Sequence, residues 1–144
     1  MEDIDTVDAA FDVLAEKWGT IDFVVHAIGF SDRNELQGLY ADTSRANFSR
    51  TMVISCFSFT EVAKRAAALM TDGGSMITLT YAGSTRVMPN YNVMGIAKAA
   101  LEASVRYLAD PHSISCQTCR VALQAKCILS IRAITSPQCR CWKN

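Results

Sequence analysis

Residues 21–30 are Ile21-Asp22-Phe23-Val24-Val25-His26-Ala27-Ile28-Gly29-Phe30, a mostly apolar run with β-branched residues at its centre. The run is too apolar for a strand with one face in water, so it predicts a central strand of a parallel sheet. Residues 75–80, Ser75-Met76-Ile77-Thr78-Leu79-Thr80, follow a glycine turn and predict a second buried strand.

Three helical patterns alternate with these strands. Residues 3–18 repeat apolar side chains at helical spacing and stop before Gly19, and residues 44–70 and 91–109 predict two further helices. The order helix, strand, helix, strand, helix predicts a layered α/β domain. Because two strands do not make a stable sheet of this kind, we interpret residues 1–110 as the middle portion of a larger fold.

The centre of the second helix, residues 52–59, is apolar on every face. A helix of that kind is expected to be covered on both sides, by its own sheet and by another element. A second subunit is the natural candidate for the outer cover.

Composition limits the possible classes of function. The 144 residues carry 14 acidic and 14 basic side chains, and half of the residues are hydrophobic, which predicts one globular domain. No apolar run approaches the ~18 residues of a membrane span. The acidic start, Met1-Glu2-Asp3, does not match a secretory leader. Zero net charge gives no reason to expect nucleic acid as a partner, and we expect a cytoplasmic protein.

Two tyrosines and a lysine are the candidate chemical groups. Tyr81 ends the second predicted strand, at the sheet edge where open α/β folds bind ligands. Tyr91 and Lys98 are seven residues apart, about two helical turns, and are expected on one helix face. An ammonium close to a phenol would favour the phenolate. By spacing alone, however, such a pair is usually a half-exposed face shared by chance.

Two other reactive side chains are expected to be structural. His26 lies inside a predicted buried strand, where hydrogen bonding to the backbone is a commoner role than that of a catalytic base. Cys56 lies in the apolar helix and is predicted to pack as a small hydrophobic side chain.

Three motifs in fixed order carry a family resemblance. They are His26-Ala27-Ile28-Gly29-Phe30, Tyr81-Ala82-Gly83 and the run from Pro89 to Lys98, Pro-Asn-Tyr-Asn-Val-Met-Gly-Ile-Ala-Lys. From about residue 4 to residue 109, the sequence resembles the NADH-dependent enoyl-acyl-carrier-protein reductases of bacterial fatty acid biosynthesis. These enzymes are a divergent branch of the short-chain dehydrogenase/reductase superfamily, and the resemblance implies an incomplete Rossmann-like, doubly wound parallel sheet.

The resemblance implies a role for each candidate residue. In the family, the tyrosine that matches Tyr91 hydrogen-bonds the thioester carbonyl of the substrate. The lysine that matches Lys98 holds the hydroxyls of the nicotinamide ribose. The position of Tyr81 lines the acyl pocket and is often given as a second proton-handling tyrosine. Ile28 and Gly29 match cofactor contacts, and Ser31 matches a substrate contact. The implied catalytic set is therefore Tyr81, Tyr91 and Lys98.

The implied reaction is the reduction of a trans-2-enoyl thioester on acyl carrier protein by NADH. The family forms homo-oligomers, dimers or tetramers, through the helices that match residues 44–70 and 91–109. An alternative is a catalytically inactive fragment that keeps only this helical subunit interface. A different short-chain reductase is disfavoured, because Gly95 stands four residues after Tyr91, where those enzymes carry lysine.

The family pattern has two features at the ends with no counterpart here. The opening strand with its glycine-rich turn for the cofactor diphosphate is not found, and similarity stops near Asp110. Residues 111–144 contain no acidic residue, no glycine and five of the six cysteines. We interpret them as a divergent, basic, Cys-rich tail that is poorly ordered or artefactual.

Three origins of this tail stay open. Translation past a frameshift, deletion or mispredicted splice would explain its composition, and it would otherwise be an uncharacterised extension. A zinc site at Cys116, Cys119, Cys139 and Cys141 fits poorly, because only the first two cysteines have the usual Cys-x-x-Cys spacing. The stretch 127–131 could pair as a strand, and no metal site is predicted.

Overall fold

The computed structural model of the protein describes residues 3–110 and the strand at 128–132. Its helices and strands follow the predicted order and confirm the α/β class. In chain order they are α1 (Ile4–Trp18), β1 (Phe23–His26), α2 (Arg45–Met52), α3 (Ser58–Leu69), β2 (Ser75–Leu79), α4 (Asn92–Leu108) and β3 (Ile128–Arg132). Short 3₁₀ turns lie in the connections, at Arg33–Leu36, Tyr40–Asp42 and Ala82–Ser84.

Helix α1 begins and ends with the caps that its sequence provides. The Asp3 side chain accepts a hydrogen bond from the backbone N–H of Asp5, and Gly19 follows the last turn with φ of 72°. The Gly19 N–H donates to the carbonyl of Ala15 at 2.9 Å. Glycine adopts this left-handed conformation without steric cost, so the predicted helix stop is confirmed.

The long helix predicted over residues 44–70 is present with one unexpected feature. Helices α2 and α3 are joined without a break by a π-helical turn, Val53–Phe57. The Ser44 side chain caps the start of α2 by accepting from the N–H of Asn47 at 3.1 Å. A π turn inserts an extra residue, so it changes which side chains of the two helices share a face.

The sheet has the strand order β1-β2-β3. Strands β1 and β2 are parallel, with Phe23 opposite Ser75 and His26 opposite Thr78. Strand β3 is antiparallel to β2, with Ile128 opposite Leu79. The sequence placed this strand at 127–131, one residue earlier.

The two faces of the sheet differ, which corrects the expectation of a central strand buried on both sides. In the described sheet β1 is an edge strand, and its side chains alternate: His26 is 2% exposed, whereas Phe23 is 68% and Val25 55% exposed. Successive side chains of a strand point to opposite faces. The helices cover one face, and no described element covers the face that carries Phe23 and Val25.

The hydrophobic core lies between the covered face of the sheet and helices α3 and α4. Its members come from β2, both helices and the adjoining turns: Ile21, Cys56, Phe59, Ala63, Ala66, Met70, Met76, Leu101, Val105 and Leu108. Cys56 is part of this core, as predicted. None of the helices in the described ranges is both long enough and apolar enough to cross a membrane.

Residues 52–59 are covered on one side by the described chain. Ile54, Cys56 and Phe59 are buried, whereas Val53 is 42% and Phe57 is 53% exposed. Val53 and Phe57 are one turn apart and leave an apolar strip on the outer side of the helix. The described chain therefore covers the inner side of this helix, as expected, and leaves the outer strip of Val53 and Phe57 exposed.

Candidate active site at the strand ends

The predicted site residues gather at one edge of the sheet. Strands β1 and β2 are parallel, so their carboxyl ends lie at the same edge, where open α/β sheets bind ligands. Ile28 and Gly29 follow the end of β1, and Tyr81 follows the end of β2 by two residues. Helix α4 begins directly after Tyr91 and carries Lys98.

Lys98 is directed from α4 to the end of β2. Its side chain is buried, and its Nζ donates a hydrogen bond to the carbonyl oxygen of Leu79 at 2.8 Å. A Cβ built on Gly29 would lie 3.7 Å from the same Nζ. Lys98 therefore lies between the ends of the two strands. Burial lowers the pKa of Lys98, because the charged form loses hydration.

Tyr81 and Tyr91 form an aromatic pair above this edge. Their ring centroids are 4.9 Å apart in an edge-to-face arrangement, which favours the contact between the two rings. Tyr91 is half-buried and lines a cleft of about 370 Å³ between the 83–88 segment and the start of α4. The structure thus brings together two of the three predicted catalytic side chains in direct contact.

The predicted effect of Lys98 on Tyr91 is wrong. Burial, followed by the nearby Tyr81, raises the pKa of Tyr91, which disfavours the phenolate. Tyr91 precedes the first helical residue and has φ of −124°, so the two-turn helical spacing to Lys98 does not apply to it. The Lys98 ammonium is instead directed to the Leu79 carbonyl.

Two glycines allow the 82–84 turn to pack against α4. A Cβ on Gly95 would lie 2.7 Å from the carbonyl oxygen of Gly83, and a Cβ on Gly83 would overlap the Tyr91 ring. A side chain at position 95 would therefore force the turn away from the helix. This close approach is the physical reason why glycine, and not lysine, stands four residues after Tyr91.

The backbone on both sides of Tyr91 is in the left-handed region. Asn90 has φ of 55° and Asn92 has φ of 24°, and asparagine tolerates such angles better than most residues. The Asn92 side-chain amide donates to the carbonyls of Glu35 and Gly38, each at 3.4 Å. Backbone in sparsely populated conformations is concentrated at functional sites, where surrounding contacts hold it.

Among the described residues, Ser31 is hydrogen-bonded to helix α2 rather than to either tyrosine. Its Oγ accepts hydrogen bonds from Asn47 Nδ2 at 3.2 Å and from Thr51 Oγ1 at 2.9 Å. One turn further along, Ser55 Oγ is 2.8 Å from both the N–H and the carbonyl of Phe30. The segment after β1 is therefore anchored by a row of polar side chains.

This polar row was not predicted from the sequence. Asn47, Thr51 and Ser55 are buried and recur every four residues, a spacing that places them on one helix face. That periodicity was the available signal, but it overlaps the apolar stretch at 52–59 and is hidden by it.

His26 has the structural role expected of it, with different partners. It is buried, and its ring nitrogens lie 3.1 Å from Thr78 Oγ1 and 2.9 Å from Ser58 Oγ, so hydroxyls rather than backbone groups hold the ring. The Ser58 hydroxyl also lies 2.6 Å from the carbonyl oxygen of Ile54, to which it can donate. Burial, and then the charge of Lys98, lower the pKa of His26 to about 4, so the ring is neutral at neutral pH.

Metal-binding groups do not cluster at this edge. Among the residues that the structure describes, no three His, Cys, Asp or Glu side chains come together as a metal site requires. The four cysteines weighed as zinc ligands, Cys116, Cys119, Cys139 and Cys141, lie outside the described residues.

Comparison with known proteins agrees with this geometry. The family model described as Enoyl-(Acyl carrier protein) reductase matches residues 1–121, which is most of the chain. The chain belongs to the enoyl-(acyl carrier protein) reductase family. The resemblance noted from the three sequence motifs is thereby confirmed.

Curated members of the enoyl-(acyl carrier protein) reductase family are close in sequence. The chain is 78% identical to enoyl-[acyl-carrier-protein] reductase [NADH] 2 of Rhizobium meliloti over 109 residues, which are 76% of this chain and 41% of that protein. It is 58% identical to the FabI enzyme of Rickettsia bellii over 106 residues, 74% of this chain and 40% of that one. The chain therefore spans about two fifths of the length of these relatives.

Solved enoyl-(acyl carrier protein) reductases share the fold. The Anaplasma phagocytophilum reductase in complex with NAD is 61% identical with a TM-score of 0.74, over 75% of this chain and 41% of that one. The Bacillus cereus reductase with NADP+ and indole naphthyridinone is 48% identical with a TM-score of 0.75, over 78% and 45%. These neighbours confirm the Rossmann-like fold class for the matched part.

Proposed function

We propose that this chain is the central part of an NADH-dependent enoyl-acyl-carrier-protein reductase of fatty acid biosynthesis. The observation that carries the proposal is the convergence at one sheet edge of the buried Lys98 ammonium and the Tyr81–Tyr91 ring pair. Residues 1–110 form the reductase part in this proposal, and residues 111–144 form a divergent tail.

The nicotinamide end of the cofactor fits the residues at this edge. Within the described part of the chain, the Lys98 ammonium makes one hydrogen bond, to the Leu79 carbonyl, so two of its three N–H donors remain for ribose hydroxyls. A Cβ on Gly29 would fill the space beside Lys98 and Met94. Ile28 and Gly29 would then contact the cofactor through the backbone. When bound, NADH supplies the hydride that reaches the β-carbon of the enoyl thioester.

The tyrosines act on the thioester group of the substrate. Because burial raises the pKa of Tyr91, its phenol stays protonated at neutral pH and can donate a hydrogen bond to the thioester oxygen. Negative charge develops on that oxygen as the β-carbon is reduced, and a pre-positioned donor stabilises it. Tyr81 supports Tyr91 through the ring contact and lines the acyl side. Ser31, which helix α2 holds after β1, is the further substrate contact in this proposal.

The exposed apolar strip on the long helix supports a second part of the proposal, an interface between copies of the chain. Val53 and Phe57 leave apolar surface exposed on the 44–70 helical stretch. We propose that this stretch and the 91–109 helix form a homo-oligomer interface in the cytoplasm. The same strip supports the alternative in which the chain is an inactive fragment that keeps only this interface.

The decisive experiment measures NADH oxidation by the purified chain with a short trans-2-enoyl thioester. The expected result is turnover that falls by at least about 100-fold in Tyr91→Phe, because a positioned proton donor contributes on that scale. Tyr107→Phe is the matched control and should leave turnover unchanged, since Tyr107 is 76% exposed near the other end of α4 and does not line this cleft. Absence of turnover from correctly folded chain would favour the inactive fragment.

A further inference from the structure

Glu102 on α4 contacts both ends of the turn that carries Tyr81. Its carboxylate accepts a hydrogen bond from Thr80 Oγ1 at 2.6 Å and a second, short one from Ser84 Oγ to the same oxygen. Thr80 precedes Tyr81, and Ser84 ends the turn, which is closed by the Ser84 N–H donating to the Tyr81 carbonyl at 2.9 Å. The carboxylate therefore spans the loop on either side of the tyrosine.

We propose that Glu102 is a positioning residue that fixes the Tyr81 ring against Tyr91. This inference deepens the proposed function, because the value of the ring pair for the reaction rests on it. Within the described part of the chain, the Glu102 carboxylate hydrogen-bonds Thr80 and Ser84 rather than either tyrosine, so it acts through the turn.

Helix α4 holds the strand end at two consecutive residues. Lys98 binds the carbonyl of Leu79, and Glu102, one turn later on the same helix, binds the hydroxyl of Thr80. Residues four apart lie on one helix face, so a single face of α4 contacts both residues that precede Tyr81, Leu79 at its carbonyl and Thr80 at its hydroxyl. The cation engages a carbonyl acceptor and the anion engages hydroxyl donors, which matches each charge to the correct kind of partner.

A second contact limits how the turn can respond if Glu102 is removed. Gly83 packs under the Tyr91 ring and against Gly95, so the centre of the turn stays close to α4. Its two ends are the parts that Glu102 restrains. Without the carboxylate, Thr80 and Ser84 lose a charged acceptor, and Tyr81, which is 41% exposed, is free to rotate away into solvent.

The test uses the full chain with isotope-labelled tyrosine rings. Three variants are compared with the unaltered protein: Glu102→Ala, which removes both bonds; Glu102→Gln, which keeps one acceptor oxygen; and Ser84→Ala, which removes one donor. Glu16→Ala on the exposed part of α1 is the matched control for loss of a helix carboxylate. Circular dichroism and amide exchange in α3 establish that each variant is folded.

Three readouts are expected to move together in Glu102→Ala. Cross-relaxation between the Tyr81 and Tyr91 rings should be lost, amide exchange at Ser84 should accelerate at least about tenfold, and the pKa of Tyr91 should fall as Tyr81 moves away. A merely structural contribution to helix stability would not change the Tyr91 titration. Glu102→Gln and Ser84→Ala should give intermediate changes, and Glu16→Ala none.

The outcomes separate this inference from the proposed function. Unchanged ring contacts and an unchanged Tyr91 titration in folded Glu102→Ala would overturn the positioning role, whatever the activity. If these readouts change but the unaltered chain neither binds nor reduces an enoyl thioester, Glu102 does position Tyr81 and the proposed function fails. If these readouts change and Glu102→Ala also lowers turnover with folding intact, both stand.

Discussion

The two halves of helix α4 differ sharply in what they contact. The second half contributes Leu101, Val105 and Leu108 to the hydrophobic core, and the first two are fully buried. The first half carries a glycine pressed against a carbonyl, a buried ammonium and, just before it, Tyr91 between two residues with positive φ. One helix thus combines a half that stabilises the fold with a half that retains conformational strain and buried charge, which is typical of a functional site.

The largest expected loss of stability comes from a substitution in the second half of α4, which packs in the hydrophobic core. Leu101→Ala removes a fully buried side chain between α3, α4 and β2 and should lower the free energy of unfolding by about 2–5 kcal/mol. Leu39→Ala, at a leucine that is 70% exposed, is the control and should cost less than about 0.5 kcal/mol. Urea unfolding followed by circular dichroism measures both. Similar losses in the two variants would contradict the assignment of the core to this half.

The next effect concerns pH and the buried His26 below Lys98. The pKa of His26 is lowered from 6.5 to about 4 in the folded chain, so the unfolded chain binds more protons between these values. The stability from the neutral ring is fully present above pH 6.5 and is lost as the pH falls towards 4. At about 1.4 kcal/mol for each pH unit in that window, the loss approaches roughly 3 kcal/mol.

Urea unfolding at a series of pH values from neutral to 4.5 measures this loss. His26→Gln is the control, because it keeps hydrogen-bonding capacity and removes the titration. A chain whose pH dependence in this window is the same with and without His26 would show that the ring is not held neutral.

A smaller effect is expected at the close approach of α4 and the 82–84 turn. In Gly95→Ala the new Cβ meets the Gly83 carbonyl oxygen, and the strain should outweigh the gain of about 1 kcal/mol in helix propensity. We expect a net loss of roughly 1 kcal/mol and a changed Tyr91 environment. Gly29→Ala is the matched control, because its Cβ would make ordinary contacts of 3.5 Å or more. Stabilisation in Gly95→Ala would contradict the close packing.

The smallest effect on stability is expected for replacement of Lys98, the residue whose replacement should weaken NADH binding most. Lys98→Met replaces a buried ammonium by an apolar side chain of similar length, which removes a desolvation penalty. The free energy of unfolding should therefore stay within about 1 kcal/mol of the unaltered value or rise, whereas NADH affinity should be lost. A large loss of stability would show that Lys98 serves the fold rather than the cofactor.

The sequence predicted the elements well and their surroundings less well. Periodicity, caps and glycine positions placed the three helical stretches and both parallel strands, because these signals act over a few neighbouring residues. The exposure of Phe23 and Val25 was not predicted, since the cover on a sheet face depends on elements distant in the sequence. The domain limits at 110 and the origin of the tail stay predictions.

For the candidate site, too, the sequence identified the residues better than their surroundings. Motifs identified Tyr81, Tyr91 and Lys98, and the structure brings them to one sheet edge. The direction of the Tyr91 pKa was predicted wrongly, because burial and the N-terminal position of Tyr91 depend on how the 82–84 turn packs. Glu102 and the row Asn47, Thr51 and Ser55 were missed for a related reason. Polar residues on a helix usually face water, and only tertiary structure shows that these face a loop.

The placement of the cofactor beside Lys98 is tested most directly by titrating the isotope-labelled chain with NADH and following the titration by NMR in the unaltered protein and in Lys98→Met. In the unaltered protein, the chemical-shift changes should be concentrated at Ile28, Gly29 and Lys98. In the variant they should be lost, while the signals of the core residues remain those of a folded chain. Changes elsewhere in the chain, or equal binding by both proteins, would contradict the placement of the cofactor at this edge.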